Sequence, residues 1–325
     1  MKKNIAILAG GDSGEYEISI KSGKVIEKNI DKNIFNTWFI HIKGRNWTYQ
    51  TENNTQLDID KNDFSLTIDN NKIFFDAVFI AIHGTPGEDG KLQGYFDIMK
   101  IPYTCSDVLT SAFTFNKNYC NRIVKSYGIT VSPSVHIFKD DEIDIEKIIK
   151  TTNLPCFVKP CNSGSSVGMT KAHDSNELIT AIEFAFNYDD QILIEQNING
   201  REITCGVFKS KSELVVLPIT EVVSKKEFFD YEAKYTSKMA DEITPAMIPE
   251  DVAEECRQTS LFLYKRLNCK GVVRFDYIFN DSGLYFLEVN TIPGQSENSI
   301  VPQQVRCMGL TITEFYTLLL NETLN

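Results

Sequence analysis

The sequence has no CxxC pair, no long apolar run and no excess of basic charge, and each absence removes a class of protein. Its eight cysteines, at positions 105, 120, 156, 161, 205, 256, 269 and 307, show no zinc-like spacing with the four histidines. They read as reduced, mostly buried thiols of a cytoplasmic protein. No segment approaches the roughly 20 apolar residues of a membrane span. The apolar run 5–8 behind Met1-Lys2-Lys3 is too short for a signal peptide. Net charge is −11, whereas a nucleic-acid partner would call for a basic face. Neither nucleic acid nor membrane is therefore expected as a partner, and small anions must be met by local positive groups. No internal repeat is present. What remains is a composition, 42% hydrophobic and 24% charged, of a soluble globular chain. At 325 residues it exceeds the usual size of one core, so two or three domains with a substrate cleft between them are expected.

Residues 5–9 form a short apolar strand that runs into Gly10-Gly11-Asp12-Ser13-Gly14, followed by a helical stretch through Lys28. A second strand near 35–42 completes a βαβ opening. Residues 43–72 are rich in Asn, Asp and Lys and read as an inserted hairpin or loop without chemistry. Residues 76–82 are continuously apolar, as in a parallel sheet buried on both faces. These elements predict a doubly wound parallel-sheet α/β domain over 1–105. A helix at 117–127, strands at 134–138 and 156–159 around a charged helix at 140–150, a helix at 175–187 and a strand at 191–195 predict an α+β unit over 106–197. The remaining segment, 198–325, starts with a strand at 202–208 and ends with a hairpin and a terminal helix at 313–322.

That hairpin is the most informative stretch. The runs 272–279 and 284–290 are β-branched and aromatic, joined by Asp281-Ser282-Gly283 read as a three-residue loop with Gly at the position needing positive φ. This register sets Asp276 opposite Glu288 and Arg274 opposite Asn290, all on one face because residues two apart point the same way. Two carboxylates and an amide oxygen amid apolar neighbours are costly unless a cation neutralises them. Hard oxygens in that number suit Mg²⁺ that also holds phosphates. A surface hairpin with a wet polar face is the plainer alternative.

Other signals are weaker. Ala9-x-Gly11-x-x-Gly14 narrowly misses the dinucleotide fingerprint, and no acid closes the next strand, which ends Ile40-His41-Ile42. A helix start after a strand still suits an anion or a zwitterion, and Glu15 there can hold an ammonium. The loop 160–168 lacks the Walker spacing, yet a Gly/Ser hairpin can fold over a triphosphate while Lys159 reaches a phosphate. An ordinary flexible turn accounts for that loop equally well on its own. Lys117 opens a helix and by itself reads as a solvated residue. Glu195 closes an apolar strand ahead of Gln196-Asn197-Ile198, a linker able to read an adenine edge or merely to turn the chain. Residues 228–238 are a solvated loop or a lid carrying Lys234 and Tyr235. His83 stands at the carboxyl end of a parallel strand, where open α/β sheets bind ligands.

In order along the chain, Gly10-Gly11-x-Ser13-x-Glu15-x-Glu17-x-Ser19, HGTPGEDGKLQG from His83, VKP-x-x-x-GSSVGM from Val158, DYEAKY from Asp230, GVVRFD from Gly271 and FLEVNTIPGQSENSIVP from Phe286 resemble the D-alanine:D-alanine ligase family of the ATP-grasp superfamily. The resemblance spans nearly the whole chain. It implies three domains, with ATP gripped between the central and C-terminal ones and amino-acid substrate on the N-terminal one. The implied reaction is ATP-dependent joining of two D-alanines for bacterial peptidoglycan, through an acyl phosphate, by a cytoplasmic homodimer.

The same resemblance implies residue roles. Lys117 and Lys159 would contact ATP, with Ser165 and Ser166 in the covering loop. Glu195, Gln196 and Ile198 would line the adenine pocket, and Glu202 would meet the ribose. Asp276, Glu288 and Asn290 would bind two Mg²⁺, or Mn²⁺ in their place. Glu15 would pair with the first D-alanine's ammonium, with His83 near that substrate. Arg274 and the Gly294 N–H would stabilise the tetrahedral oxyanion. Ser299 would serve the second substrate's carboxylate, Lys234 the transferring phosphoryl group, and Ser165 would link Glu15 to Tyr235. One departure stands out: Gln295-Ser296-Glu297-Asn298 precedes Ser299 where many relatives carry an aromatic or Met followed by Thr and Ser. Glu297 would add negative charge near the second carboxylate unless it points away. A ligase that takes D-lactate or D-serine second is the alternative within the class, and a nucleotide-binding regulator without turnover the alternative outside it.

Overall fold

The computed structural model describes residues 2–224 and 240–325. The first sheet contains β1 (Lys3–Gly10), β2 (Phe35–Lys43), β3 (Asn46–Gln50), β4 (Gln56–Asp60), β5 (Ser65–Ile68), β6 (Asn71–Ile73) and β7 (Ala77–Ile80), in the order β6-β5-β4-β3-β2-β1-β7. β1 pairs in parallel with β2 and β7, and the rest continue antiparallel. Alternation along β1 divides two cores. Ile5 and Ile7 pack with α1 (Tyr16–Asn29), whereas Ala6 and Leu8 face Leu92 and Phe96 of α2 (Lys91–Met99). Helices on both faces make this part doubly wound. Residues 43–72 are not a plain loop or single hairpin: Ile59, Phe64 and Leu66, widely spaced in a polar stretch, bury one side of four strands.

Next come α3 (Val108–Phe115), which the apolar pattern did not announce, and α4 (Lys117–Ser126). The second sheet is antiparallel, with β8 (Ser134–Phe138), β9 (Cys156–Pro160), β10 (Thr170–Ala172) and β11 (Gln191–Gln196) in the order β10-β9-β11-β8. Its back is covered by α5 (Ile145–Thr152) and α6 (Ser175–Ala185) through Ile137, Val158, Ile192 and Ile194. The charged helix expected from 140 begins later because Asp144 caps it, accepting from Lys147 N at 3.0 Å.

The third sheet holds β12 (Arg201–Ser210), β13 (Glu213–Val216), β14 (Thr220–Ser224), β15 (Ala240–Ile243), β16 (Val272–Asn280) and β17 (Gly283–Asn290), in the order β15-β14-β12-β16-β17 with β13 also on β12. α7 (Glu250–Arg266), also unannounced, covers one face, burying Cys256, Leu263 and Tyr264. After α8 (Ile300–Cys307), α9 (Ile312–Leu324) closes the chain behind a Thr311/Glu314 capping box. Phe315, Tyr316, Leu319 and Leu320 of α9 share one core with Ile5, Ile7 and Phe79 of the first sheet and Phe208 and Val272 of the third.

Candidate active site

The β16–β17 hairpin pairs Arg274 with Asn290 and Asp276 with Glu288. The expected register is reached by another route. Asn280 pairs with Gly283 (φ 123°), so the loop has two residues, Asp281 and Ser282, and a bulge after Asp276 restores the offset. Arg274 grips Asp276 bidentately, Nε to Oδ1 at 2.8 Å and Nη2 to Oδ2 at 2.7 Å, and Asn290 Nδ2 donates to the same Oδ2 at 3.0 Å. Burial opposes the guanidinium charge, but Asp276 and then Glu288 outweigh it and hold its pKa above the ordinary value.

From the second sheet, β9 presents Lys159 (6% exposed) and β11 presents Glu195 (4% exposed), and the two form a buried ion pair. Burial would lower the Lys159 pKa, yet the charges of Glu195 and Glu288 together hold it raised. Glu195 also accepts from Asn121 Nδ2 of α4 at 2.7 Å, so both its oxygens are engaged. Gln196 and Ile198 follow at the half-buried strand end, and Ser132 Oγ donates to the Gln196 carbonyl at 2.8 Å. Glu202, half-buried on β12, is near enough for its charge to act on Arg274. Lys117 opens α4, and its Nζ donates to the Ser163 carbonyl, bracing the loop between β9 and β10. In that loop Ser165 and Ser166 hold left-handed φ of 50° and 59°, strained for residues bearing Cβ.

The loop reaches the first sheet. Ser165 Oγ donates to Glu15 Oε1, and Gly164 lies so close that a Cβ there would overlap Glu15 Oε2 and approach its Cδ to 3.0 Å. Glu15 occupies the N-cap position of α1, with no side-chain capping hydrogen bond, and is buried. His83 (5% exposed) shares hydrogen bonds with the Ile292 carbonyl through Nδ1 at 3.0 Å and with Ser22 Oγ through Nε2 at 3.1 Å. A carbonyl only accepts, so Nδ1 carries the proton and Nε2 receives the Ser22 hydroxyl. Burial lowers the His83 pKa against the pull of Glu15, so the ring is neutral and both nitrogens are occupied. His83 is thus a strut beside the site.

Sequence reasoning passed over Glu88. Its Oε2 accepts from Gly84 N at 2.7 Å, and burial, followed by the charge of Glu15, pushes its carboxyl up to about 8. Its signal in the sequence is the acid within His83-Gly84-Thr85-Pro86-Gly87-Glu88. Gly294 lies where a Cβ would meet Ser299 Oγ at 2.9 Å, and that hydroxyl shares a hydrogen bond with Ser296 Oγ at 2.7 Å. Gln295 is turned into the core, where its N–H donates to Ser22 Oγ at 3.2 Å and Tyr316 OH donates to its Oε1 at 3.3 Å. Glu297 is exposed. Lys234 and Tyr235 lie outside the described residues.

Among the described residues no three His, Cys, Asp or Glu side chains cluster as a metal site. The hairpin offers two carboxylates and an amide instead. Because Asn290 turns Nδ2 to Asp276, its Oδ1 is the atom left to face a cation. A carboxylate has roughly four lone-pair sites, so Asp276 can accept from Arg274 and still ligate. This set fits Mg²⁺, which takes its remaining ligands from phosphate and water, better than a metal needing an all-protein cage.

A lysine-bearing antiparallel sheet facing an oxygen-lined hairpin across a Gly/Ser loop defines an ATP-grasp enzyme, and the chain is an ATP-dependent ligase. The family model of the D-ala D-ala ligase N-terminus matches residues 4–106, and that of the D-ala D-ala ligase C-terminus matches 123–321. The chain belongs to the D-alanine–D-alanine ligase family. Curated relatives named D-alanine–D-alanine ligase include one from Phocaeicola vulgatus, 46% identical, and one from Bacteroides fragilis, 43% identical, each match covering 98% of both chains. The solved VanG D-Ala:D-Ser ligase of Enterococcus faecalis superposes with a TM-score of 0.87 at 32% identity, over 99% of both chains. A Bacillus anthracis D-alanine–D-alanine ligase complexed with ATP superposes with a TM-score of 0.80 at 30% identity, over 100% of this chain and 97% of that one.

Proposed function

We propose that this ligase joins D-alanine to D-alanine for peptidoglycan precursor synthesis, with the site divided among segments 1–105, 106–197 and 198–325. The observation that carries the reading is convergence: the charge of Glu288 reaches Lys159, Arg274 and Glu88, while Ser165 ties the Gly/Ser loop to Glu15. In the first step a D-alanine carboxylate oxygen attacks the γ-phosphorus of ATP, the β–γ bridge breaks and ADP departs. In the second, the amine of another D-alanine attacks the acyl phosphate. Phosphate leaves with the electron pair of the broken C–O bond, and the amine loses a proton.

Glu15 holds the first ammonium and His83 fixes the turn beside it. Lys117, Lys159 and Lys234 offset phosphate charge under Ser165 and Ser166. Glu195, Gln196 and Ile198 border the adenine and Glu202 the ribose. Arg274 and the Gly294 N–H face the developing oxyanion, Ser299 receives the second carboxylate, and Tyr235 is assigned the partner role to Ser165 that the family resemblance implies. Mg²⁺, as two ions or Mn²⁺ in their place, would be held by Asp276, Glu288 and Asn290 and would neutralise phosphate charge. The chain would act as a cytoplasmic homodimer. Among the described residues no helix is long and apolar enough to cross a membrane. The test is phosphate release with D-alanine as the sole amino acid, followed by product analysis. Release that requires D-serine or D-lactate as second substrate would overturn the assignment.

A further inference from the structure

A second cavity, of about 150 Å³, lies between α4 and the edge strand β8, lined by Asn118, Asn121, Arg122, Lys125, Val131, Ser132, Ser134 and His136. The four α4 residues are spaced i, i+3, i+4 and i+7 and form one face of that helix, whose other side buries Cys120 and Val124. No carboxylate lines the cavity, although the chain carries a net charge of −11. Arg122 and Lys125 are exposed at its mouth, and neither enters an ion pair among the described residues. Deeper in, Asn118 is 4% exposed, and its Nδ2 has no hydrogen-bond partner among the described residues. A buried amide donor without an acceptor is costly, so its position calls for one. Two cations, an orphan N–H and the Ser134 hydroxyl together match a compact oxyanion.

The cavity shares its inner wall with the nucleotide side of the second sheet. Asn121 Nδ2 donates to Glu195 at 2.7 Å, and Ser132 Oγ donates to the Gln196 carbonyl at 2.8 Å. α4 also carries Lys117 at its start. We propose that this cavity is a regulatory anion site, taking a tetrahedral oxyanion such as phosphate or sulfate, whose occupation tightens ATP binding. The bound anion fixes α4 against β8, which orders Lys117, Glu195 and Gln196 before nucleotide arrives. The coupling rests on the proposed nucleotide role of those three residues. The site itself does not.

Sulfate is the probe, since it is neither substrate nor product. Calorimetric titration of the nucleotide-free enzyme at constant ionic strength is expected to give saturable binding that is lost in Arg122→Ala/Lys125→Ala and in Asn118→Asp. Saturating sulfate should lower the ATP Kd by about fivefold or more in the unmodified enzyme and leave it unchanged in the double variant. Unsaturable heat, or equal binding in the double variant, means an adventitious ion only and overturns the site. Binding that vanishes instead in Lys159→Met would place the sulfate at the nucleotide cations and also overturn it. Saturable binding with an unmoved ATP Kd refutes the coupling. An unaltered ATP Kd in Lys159→Met without sulfate would instead count against the nucleotide reading, which separates the two failures.

Discussion

Lys159→Met isolates what the buried ion pair contributes to folding from what it does for ATP. With Lys159 and Glu195 only 6% and 4% exposed, solvent screens neither partner, and removing the cation leaves a carboxylate held by Asn121 alone. Breaking a buried pair on one side costs roughly 3–5 kcal/mol. At about 2.1 cal/mol/K of unfolding entropy per residue, each kcal/mol shifts Tm of a 325-residue chain by about 1.5 °C. Thermal unfolding of Lys159→Met is therefore expected roughly 4–7 °C below the parent. Adding Glu195→Gln removes the orphaned charge while keeping an acceptor for Asn121 Nδ2, and most of the lost Tm should return. ATP affinity should not return, because the phosphate cation is still missing, and D-alanine affinity should hardly change in either variant. Calorimetry for Tm and equilibrium titration for both ligands make the comparison. If the double variant regains ATP binding along with stability, Lys159 serves the fold and not the phosphates. If the single variant loses no stability, the buried pair is not a net support.

Glu288→Gln should leave far-ultraviolet circular dichroism and Tm near the parent while abolishing phosphate release, and near-normal turnover with an unchanged Mg²⁺ requirement would remove Glu288 from the metal site. Gly164→Ala should raise the KM for D-alanine more than that for ATP, since its Cβ would overlap Glu15 Oε2 and displace the loop Ser165 anchors; equal KM values in mutant and parent would show that the loop does not bear on Glu15. Glu88 has a folded pKa raised from 4.5 to about 8. The protonated group therefore contributes stability that is full below 4.5 and is lost as pH rises through about 8. Glu88→Gln should accordingly gain Tm relative to the parent as pH climbs across that window, and a pH-independent difference would contradict the shift.

The β16–β17 hairpin was legible because β-branched alternation and a terminal Gly constrain register strongly. The pairing of Asp276 with Glu288 emerged even though the loop and the bulge after Asp276 trade one residue between them. Residues 43–72 were illegible for the converse reason: Ile59, Phe64 and Leu66 acquire a buried face only when four strands are laid side by side, so no local window shows it. Lys159 and Glu195 each stand out in the sequence, but their mutual ion pair depends on β9 and β11 becoming neighbours across an intervening helix. Glu88 was hidden by type, since its shift comes from burial and from Glu15, more than 70 residues away. The neutrality of His83 likewise follows from Ile292 and Ser22, contacts that only the folded chain brings together.

The core that α9 shares with the first and third sheets has a mechanical consequence. Phe79, Phe208, Val272, Phe315 and Tyr316 belong to one apolar cluster, and His83 and Ser22 clamp the turn at Ile292 and Gln295 to the first sheet. Sliding these two sheets apart would open that interior to water, so Glu15 and Arg274, proposed to hold the ammonium and to face the oxyanion, are held on one packed unit. The second sheet keeps a separate core of its own, built from Val158, Ile192 and Ile194 against α5 and α6. Lys159 and the Ser165 loop are therefore carried on a unit packed apart from the one that bears Glu15 and Arg274, and the Ser165–Glu15 hydrogen bond joins the two.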